Sequence, residues 1–309
     1  MVKNKEILEV GYVYNFCGKW RIIILMRKYM DKLLIIDGSN LLFQMFFGMP
    51  TRIVNNEGKA IQGTLGFVGA LLKIIRMVEP THILVVFDGE HENSRCEIDA
   101  AYKANRTDFS MVDEEENPFS QLPDVYKALD YLGINYIETT NCEADDMITS
   151  YALSFCDDTD IVISSFDSDF FQLISERVSI LRYRGKNTSI CSSQYIIEKY
   201  GIYPEQYAYL KSLVGDTADN IKGADKIGVK TAASLLRTFG TLENIICSAE
   251  NIDKPSIKRS VVENTDRIRK NYKLIKLENK QLLPYDICDL EFMNTNKTTT
   301  EVLQGIGIK

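Results

Sequence analysis

Nine carboxylates stand where they could do chemistry together. Asp37 closes the run Leu33-Leu-Ile-Ile-Asp37, Asp88 closes Ile83-Leu-Val-Val-Phe-Asp88, and Asp167 and Asp169 follow Ile161-Val-Ile-Ser-Ser165. Continuous apolar runs of this kind read as parallel strands buried on both faces. Glu143, Asp145 and Asp146 open the helix that follows strand 134–138, and Asp216 and Asp219 close helix 204–214. Ligands of parallel sheets gather beyond the C-terminal strand ends, so the first seven acids should share one edge. Taken singly, Asp-Gly after a strand makes a turn, and an acid at a helix start caps it. Neither role explains a shared edge. No basic residue lies within these short motifs, so the converging acids would repel and in part protonate unless cations join them. An all-oxygen donor set suits Mg²⁺ or Mn²⁺, and this many acids suggests two ions ~3.5–4 Å apart, the arrangement for phosphodiester hydrolysis.

Two basic groups complement the acids. Ile221-Lys-Gly-Ala-Asp-Lys-Ile-Gly-Val-Lys-Thr-Ala232 reads as a glycine-bearing turn feeding a helix. Its backbone N–H groups and helix start could meet phosphate, with Lys222, Gly223, Lys226, Gly228 and Lys230 at the contact. An ordinary capped helical hairpin is the other reading. From 221 to 280 there are 13 Lys/Arg against 7 Asp/Glu. Arg95, Tyr102, Lys103 and Arg106 form the second group. At helical spacing the three cations could line one side and clamp a phosphate over the metals, or they are a solvated face.

Composition narrows the classes. The 309 residues carry 36 basic and 43 acidic side chains, a net charge of −7, which taken alone speaks against a nucleic-acid partner. Setting aside the nine acids leaves 34 against those 36, so the deficit is mostly a metal site seen without its metals. Seven scattered Cys without Cys-x-x-Cys spacing argue against a disulfide framework or a zinc finger and for a reducing cytoplasm. The two His leave no material for a His-based triad, and His82 reads as a structural strand residue. The apolar burst Ile22 to Met26 is far too short to span a bilayer or serve as a signal peptide. Residues 1–29 read as a misassigned translation start or a dispensable extension, with an extra packed helix as the alternative.

The positioning elements alternate. Strands at 33–37, 83–88, 134–138 and 160–164 interleave with helices at 41–47, 64–78, 121–132 and 144–154, with Ser39 or Asn40 as the first cap. Such alternation predicts an α/β fold with a mainly parallel sheet covered on both faces. The long insertion 89–118 carries a helix near 95–105 and the acidic run Asp113 to Glu116. After about 193 helices predominate, at 193–200, 204–214, 229–239 and 256–271. The expected organisation is an extension at 1–29, a nuclease-like core at 30–193, and a helical module at 194–309.

These blocks resemble the 5′-nuclease family: flap endonucleases, phage 5′-exonucleases and the N-terminal domain of bacterial DNA polymerase I. The motifs are IIDGSNLLF, VVFDG, YKANR, CEADD, SSFDSDFFQL and LVGDTADNIKGADKIGVKTAASLL, in order from Leu33 to about Leu283. The resemblance implies a PIN-like core, a helical arch at about 89–118 and a helix–three-turn–helix at 210–236 that grips duplex DNA and often holds K⁺. It implies that Asp37, Asp88 and Asp145 hold one metal, with Glu143 direct or through water. Asp145, Asp146, Asp167, Asp169 and Asp216 would form the second cluster, with Asp219 nearby. Lys103 and Arg106 would contact phosphate, supported by Arg95.

The expected activity is that of a stand-alone, monomeric bacterial 5′–3′ exonuclease or flap endonuclease in replication or repair, acting on DNA 5′ ends, flaps or nicks. An RNA-directed nuclease on the same acidic core is the alternative, and a non-catalytic DNA-binding protein the more distant one. Three departures stand out: Gln44 where many members carry Arg, Lys226 in place of a hairpin glycine, and the acidic run 113–116 beside the arch.

Overall fold

The computed structural model describes residues 8–13, 21–26, 31–89, 94–107, 109 and 112–308. Most of the 1–29 extension therefore lies outside the described residues, as do 90–93, 108, 110 and 111 of the insertion. The described parts of the extension are strands, not the extra helix: β1 (Leu8–Val13) and β2 (Arg21–Met26) pair antiparallel with each other.

Six strands build the main sheet: β3 (Lys32–Asp37), β4 (His82–Phe87), β5 (Asn135–Glu138), β6 (Asp160–Ser164), β7 (Val178–Arg182) and β8 (Ser189–Cys191). Their order is β5-β4-β3-β6-β7-β8, parallel throughout except for β8. β3 is central, and Leu33 to Ile36 are fully buried. β7 and β8 were not expected, because their runs are short and interrupted by Ser179, Arg182 and exposed Ile190.

Strand alternation splits the core into two halves. Leu34, Ile36, Ile83 and Val85 face α1 (Gly38–Gly48), α2 (Gln62–Val78) and the helix that follows the insertion, packing with Phe67, Leu71 and Leu129. The ranges of α3 and α4 are Ser94–Ile98 and Leu122–Leu132. Leu33, Ile35, Leu84 and Val86 face α5 (Ala144–Phe155) and share one apolar cluster with Leu213, Leu236, Val261 and Ile268 of the helical region. That region comprises α6 (Ser193–Tyr200), α7 (Tyr207–Val214), the short strands β9 (Gly215–Asp216) and β10 (Ile221–Lys222), then α8 (Val229–Phe239), α9 (Leu242–Cys247), α10 (Pro255–Glu263) and α11 (Thr265–Ile275). The helix expected over 256–271 is thus two, because Asn264 leaves the helical backbone region between them.

Because the helical region shares the core beneath β3 and β6, the two parts hold each other in register. Truncating a buried Leu there typically costs ~2–5 kcal/mol. The chain then returns to the first half. Glu291 bridges to His82, and α12 (Thr299–Gly305) packs on α2 and α4. His82 is buried, with its ring against Thr81 Oγ1 at 2.8 Å, in keeping with a structural strand residue. No helix among the described residues is long and apolar enough to cross a membrane.

Candidate metal centre and its basic surround

Parallel pairing brings the ends of β3, β4 and β6 to one edge, and with them Asp37, Asp88 and Asp167. Asp37 itself caps α1: its Oδ1 accepts from Asn40 N at 3.0 Å, so the cap lies two residues before Ser39, the earlier of the two expected positions. Its Oδ2 accepts from Ser165 Oγ at 2.7 Å. Burial pushes the Asp37 carboxyl up to about 7 despite these donors, and the charges of Asp88 and Asp167 add to the effect. Asp88 is exposed, yet its Oδ1 accepts from Ala144 N at 2.8 Å, which fixes the start of α5 against the strand end. Asp145 is driven well above the usual carboxylate range by burial first and then by Asp167, with Asp88 and Asp37 adding and Lys103 opposing. The charges of Asp167, Asp88 and Asp37 thus all act on Asp145.

A second group lies beside it. Asp169, Asp216 and Asp219 each place a carboxylate oxygen within 4.8 Å of the others. Asp167 Oδ1 accepts from Asp169 N at 2.8 Å, which joins the two groups. The Lys211 ammonium bonds both Asp169 and Asp216. Burial opposes charge on Asp216, but Lys211 prevails and holds it below the ordinary value. Lys211 stays protonated because two carboxylates flank it. Sequence reading missed this residue. The available signal was a lysine on the inward, mainly apolar side of α7, the helix that ends two residues before Asp216.

The cations correct the expectation that the acids lack counter-ions. Arg95 bonds Asp146 at 2.6 and 3.0 Å and also bonds Glu143, and Lys103 bonds Glu143 from the other side. Arg106 Nη2 meets Asp219 Oδ1 at 2.8 Å. These partners are distant in sequence, so motif-level counting could not find them. They do not share a helix face either, because α3 ends at Ile98 and turns carry the chain to 106, with Lys103 at φ 54°. Tyr102, expected at the DNA contact, is 6% exposed and donates to Glu143 Oε2 at 3.3 Å; its ring is packed with Ala208, Ile221 and Leu274.

Hydrogen bonds to backbone carbonyls fasten this segment to the helical region. Lys103 N donates to Asp219 O at 3.0 Å, Asn220 Nδ2 to Ala101 O at 2.7 Å, and Asn105 Nδ2 to Thr217 O at 3.1 Å. Beyond that turn Lys222, Lys226 and Lys230 are exposed, and Lys222 loosely pairs with Asp225 at 3.6 Å. Gly223 is required where it stands, since a Cβ would collide with the Val214 carbonyl. Gly228 caps α8 with open space around it. Lys226 holds φ 63°, a conformation that glycine adopts without strain. Gln44, the other departure, donates from Nε2 to Tyr183 O at 2.7 Å. In the acidic run, Glu115 pairs with Arg52 at 2.5 Å.

Residues 32–201 match the 5′-3′ exonuclease N-terminal resolvase-like domain, and residues 202–298 match the 5′-3′ exonuclease C-terminal SAM fold. The chain belongs to the 5′–3′ exonuclease family. Curated relatives of this chain include the thermostable DNA polymerase I of Thermus thermophilus, 30% identical over 257 residues, covering 83% of this chain and 30% of that one. The DNA polymerase I of Streptococcus pneumoniae strain R6 is 33% identical over 267 residues, covering 84% and 30%. The exonuclease chain thus spans about 30% of the length of these relatives. Its fold is shared by the T5 D15 protein co-crystallised with metal ions, with TM-score 0.64, 23% identity, and 79% and 88% of the two chains covered. It is shared too by the catalytic core of Rad2 in complex with DNA substrate, with TM-score 0.53, 16% identity, and 91% and 93% covered.

The donor set of this chain fits hard divalent cations. Among the described residues Asp169, Asp216 and Asp219 offer carboxylate oxygens within 4.8 Å of one another, and the charges of Asp88 and Asp167 act on Asp37 and Asp145 alongside.

Proposed function

We propose that this 5′–3′ exonuclease hydrolyses DNA phosphodiesters at 5′ ends, flaps or nicks with Mg²⁺, Mn²⁺ substituting. One observation carries the reading: Asp169, Asp216 and Asp219 gather their carboxylates within 4.8 Å of one another next to the strand-end acids Asp37, Asp88 and Asp167, with Arg106 on Asp219 and Lys103 on Glu143. In this reading Asp37, Asp88, Asp145 and Asp167 hold one ion, with Glu143 nearby, and Asp169, Asp216 and Asp219 hold the other, while Asp146, engaged by Arg95, stands outside both sets. Bound there, divalent ions would lower the pKa of a coordinated water toward neutrality and offset charge on the departing 3′ oxygen. Asp37, fixed by Ser165 and Asn40, keeps its ligand geometry without rearrangement.

Lys103 and Arg106 would turn from Glu143 and Asp219 toward the phosphate, where positive charge stabilises the transition state. Losing one such donor typically costs about 10²–10³ in rate. The exposed Lys222, Lys226 and Lys230 would follow duplex backbone, and a K⁺ ion at 210–236 would assist. The core at 30–193 and the module at 194–309 would act as one monomer, with 1–29 dispensable. A cytoplasmic setting suits the unpaired cysteines.

The test is a gel assay on a 5′-flap, a nicked duplex and a single strand, as DNA and as RNA, with Mg²⁺ and with EDTA. Mg²⁺-dependent release of 5′-phosphorylated DNA products is expected, abolished by Asp145→Ala or Asp169→Ala with duplex binding kept. Undiminished cleavage in EDTA, near-normal turnover by either variant, or cleavage confined to RNA would overturn it.

A further inference from the structure

A cavity of about 410 Å³ is lined by Arg95, Ile98, Asp146, Tyr272, Lys273, Lys276, Glu278, Lys280 and Gln281. Its walls are tied together. Arg95 Nε donates to Leu274 O at 3.0 Å, which joins α3 to α11, while its guanidinium grips Asp146 on α5. The segment after α11 is pinned to α5 as well: Lys280 N and Gln281 N donate to Ser150 Oγ at 3.3 and 3.1 Å. The lining carries four cations against two carboxylates, in a chain of net charge −7. Asp146 is engaged by Arg95, and Glu278 faces both Lys276, at 3.2 Å, and Lys280. Lys273 is exposed and makes no ion pair among the described residues. Tyr272 and Ile98 give the cavity an apolar wall.

We propose that this cavity is a separate binding site for a nucleotide phosphate monoester, its phosphate held by Lys273, Lys276 and Lys280 and its sugar and base against Tyr272 and Ile98. An excess of lysines around an open recess suits a compact dianion, and the apolar wall suits a nucleoside better than free phosphate. The identification of the ligand as a nucleotide rests on the proposed hydrolysis, which releases 5′-phosphorylated products; the cavity's geometry does not. A released mononucleotide and the 5′-phosphate of a strand share this chemistry.

Calorimetric titration of the full chain in EDTA tests it, because an acidic centre lacking its ions repels phosphate. The probes are dAMP, deoxyadenosine, inorganic phosphate, and a trinucleotide with and without a 5′-phosphate. Saturable dAMP binding is expected, about tenfold or more tighter than deoxyadenosine or phosphate. It should weaken as salt rises. Lys273→Ala with Lys276→Ala should weaken it at least about tenfold at an unchanged melting temperature, Lys280→Ala should weaken it too, and the paired Lys→Arg changes should restore it. Tighter binding of the 5′-phosphorylated trinucleotide than of dAMP would identify a strand end as the ligand, and the reverse a free product. Absence of saturable binding by every phosphorylated nucleotide, or undiminished binding by the alanine variants, would overturn the proposal. A chain that binds dAMP here but cleaves no DNA would sink the hydrolytic reading and leave the site.

Discussion

Arg95 grips Asp146 with both terminal nitrogens, Nη2 to Oδ1 at 2.6 Å and Nη1 to Oδ2 at 3.0 Å, although 51 residues separate them. The same guanidinium bonds Glu143 and the Leu274 carbonyl, so one side chain from the insertion ties α5 to α11. Charge balance at the centre therefore depends on tertiary contacts, and that dependence is open to measurement.

Arg95→Ala leaves Glu143 and Asp146 short of a counter-ion in a buried setting. Loss of a partner from such a pair costs ~3–5 kcal/mol. Thermal melts in EDTA should show a loss of that size, shrinking when millimolar Mg²⁺ is added. An equal loss in both buffers would mean that Arg95 acts through packing alone.

Lys211 occupies carboxylate oxygens that a divalent ion would need. Lys211→Met removes the competitor and leaves the local field more negative. Mn²⁺ titration by calorimetry should give tighter binding in the variant, while its melting temperature in EDTA falls. Weaker Mn²⁺ binding would place the ion elsewhere.

Asp37 sets a pH dependence. Its folded value of about 7 exceeds the ordinary 3.8, so the folded state holds the proton more tightly than the unfolded chain. The stability so gained is fully present below pH 3.8 and is lost as pH rises through about 7. In EDTA the melting temperature should fall between pH 5 and pH 8, and saturating Mg²⁺ should flatten that slope. Rising stability over this window in EDTA would contradict the dehydration of Asp37.

The turn after Asp216 separates two kinds of position. Gly223→Ala drives a methyl into the Val214 carbonyl, a backbone atom that cannot yield cheaply, and should cost several kcal/mol in a urea melt. Lys226→Gly relieves a left-handed lysine worth roughly 1–2 kcal/mol of strain, offset in part by backbone entropy. It should leave stability near the parent value while lowering duplex affinity. A large destabilisation by Lys226→Gly would show that its side chain, not its backbone, shapes the turn.

Much of this was legible in the residues. The buried runs before Asp37, Asp88 and Asp167 carry strand assignment, parallel pairing and the shared edge, because hydrophobic continuity and strand–helix alternation are local properties. β7 and β8 were not legible, since a short strand with polar residues is decided by the neighbours that pair with it. The Arg95 to Arg106 segment misled for the same reason: helical spacing suggested one face, whereas α3 ends at Ile98 and Tyr102 beyond it is buried against Glu143.

The net charge of −7 and the nine acids were fixed by composition and motif, and they were enough to indicate a hard-cation site. What tertiary structure alone decided was which cations stand against which acids. Arg95, Lys103, Arg106 and Lys211 reach their carboxylates across 5 to 113 residues of chain. Such pairs form only after strands, insertion and helical region share one core, because an ion pair is set by distance in space, and sequence separation carries no record of it.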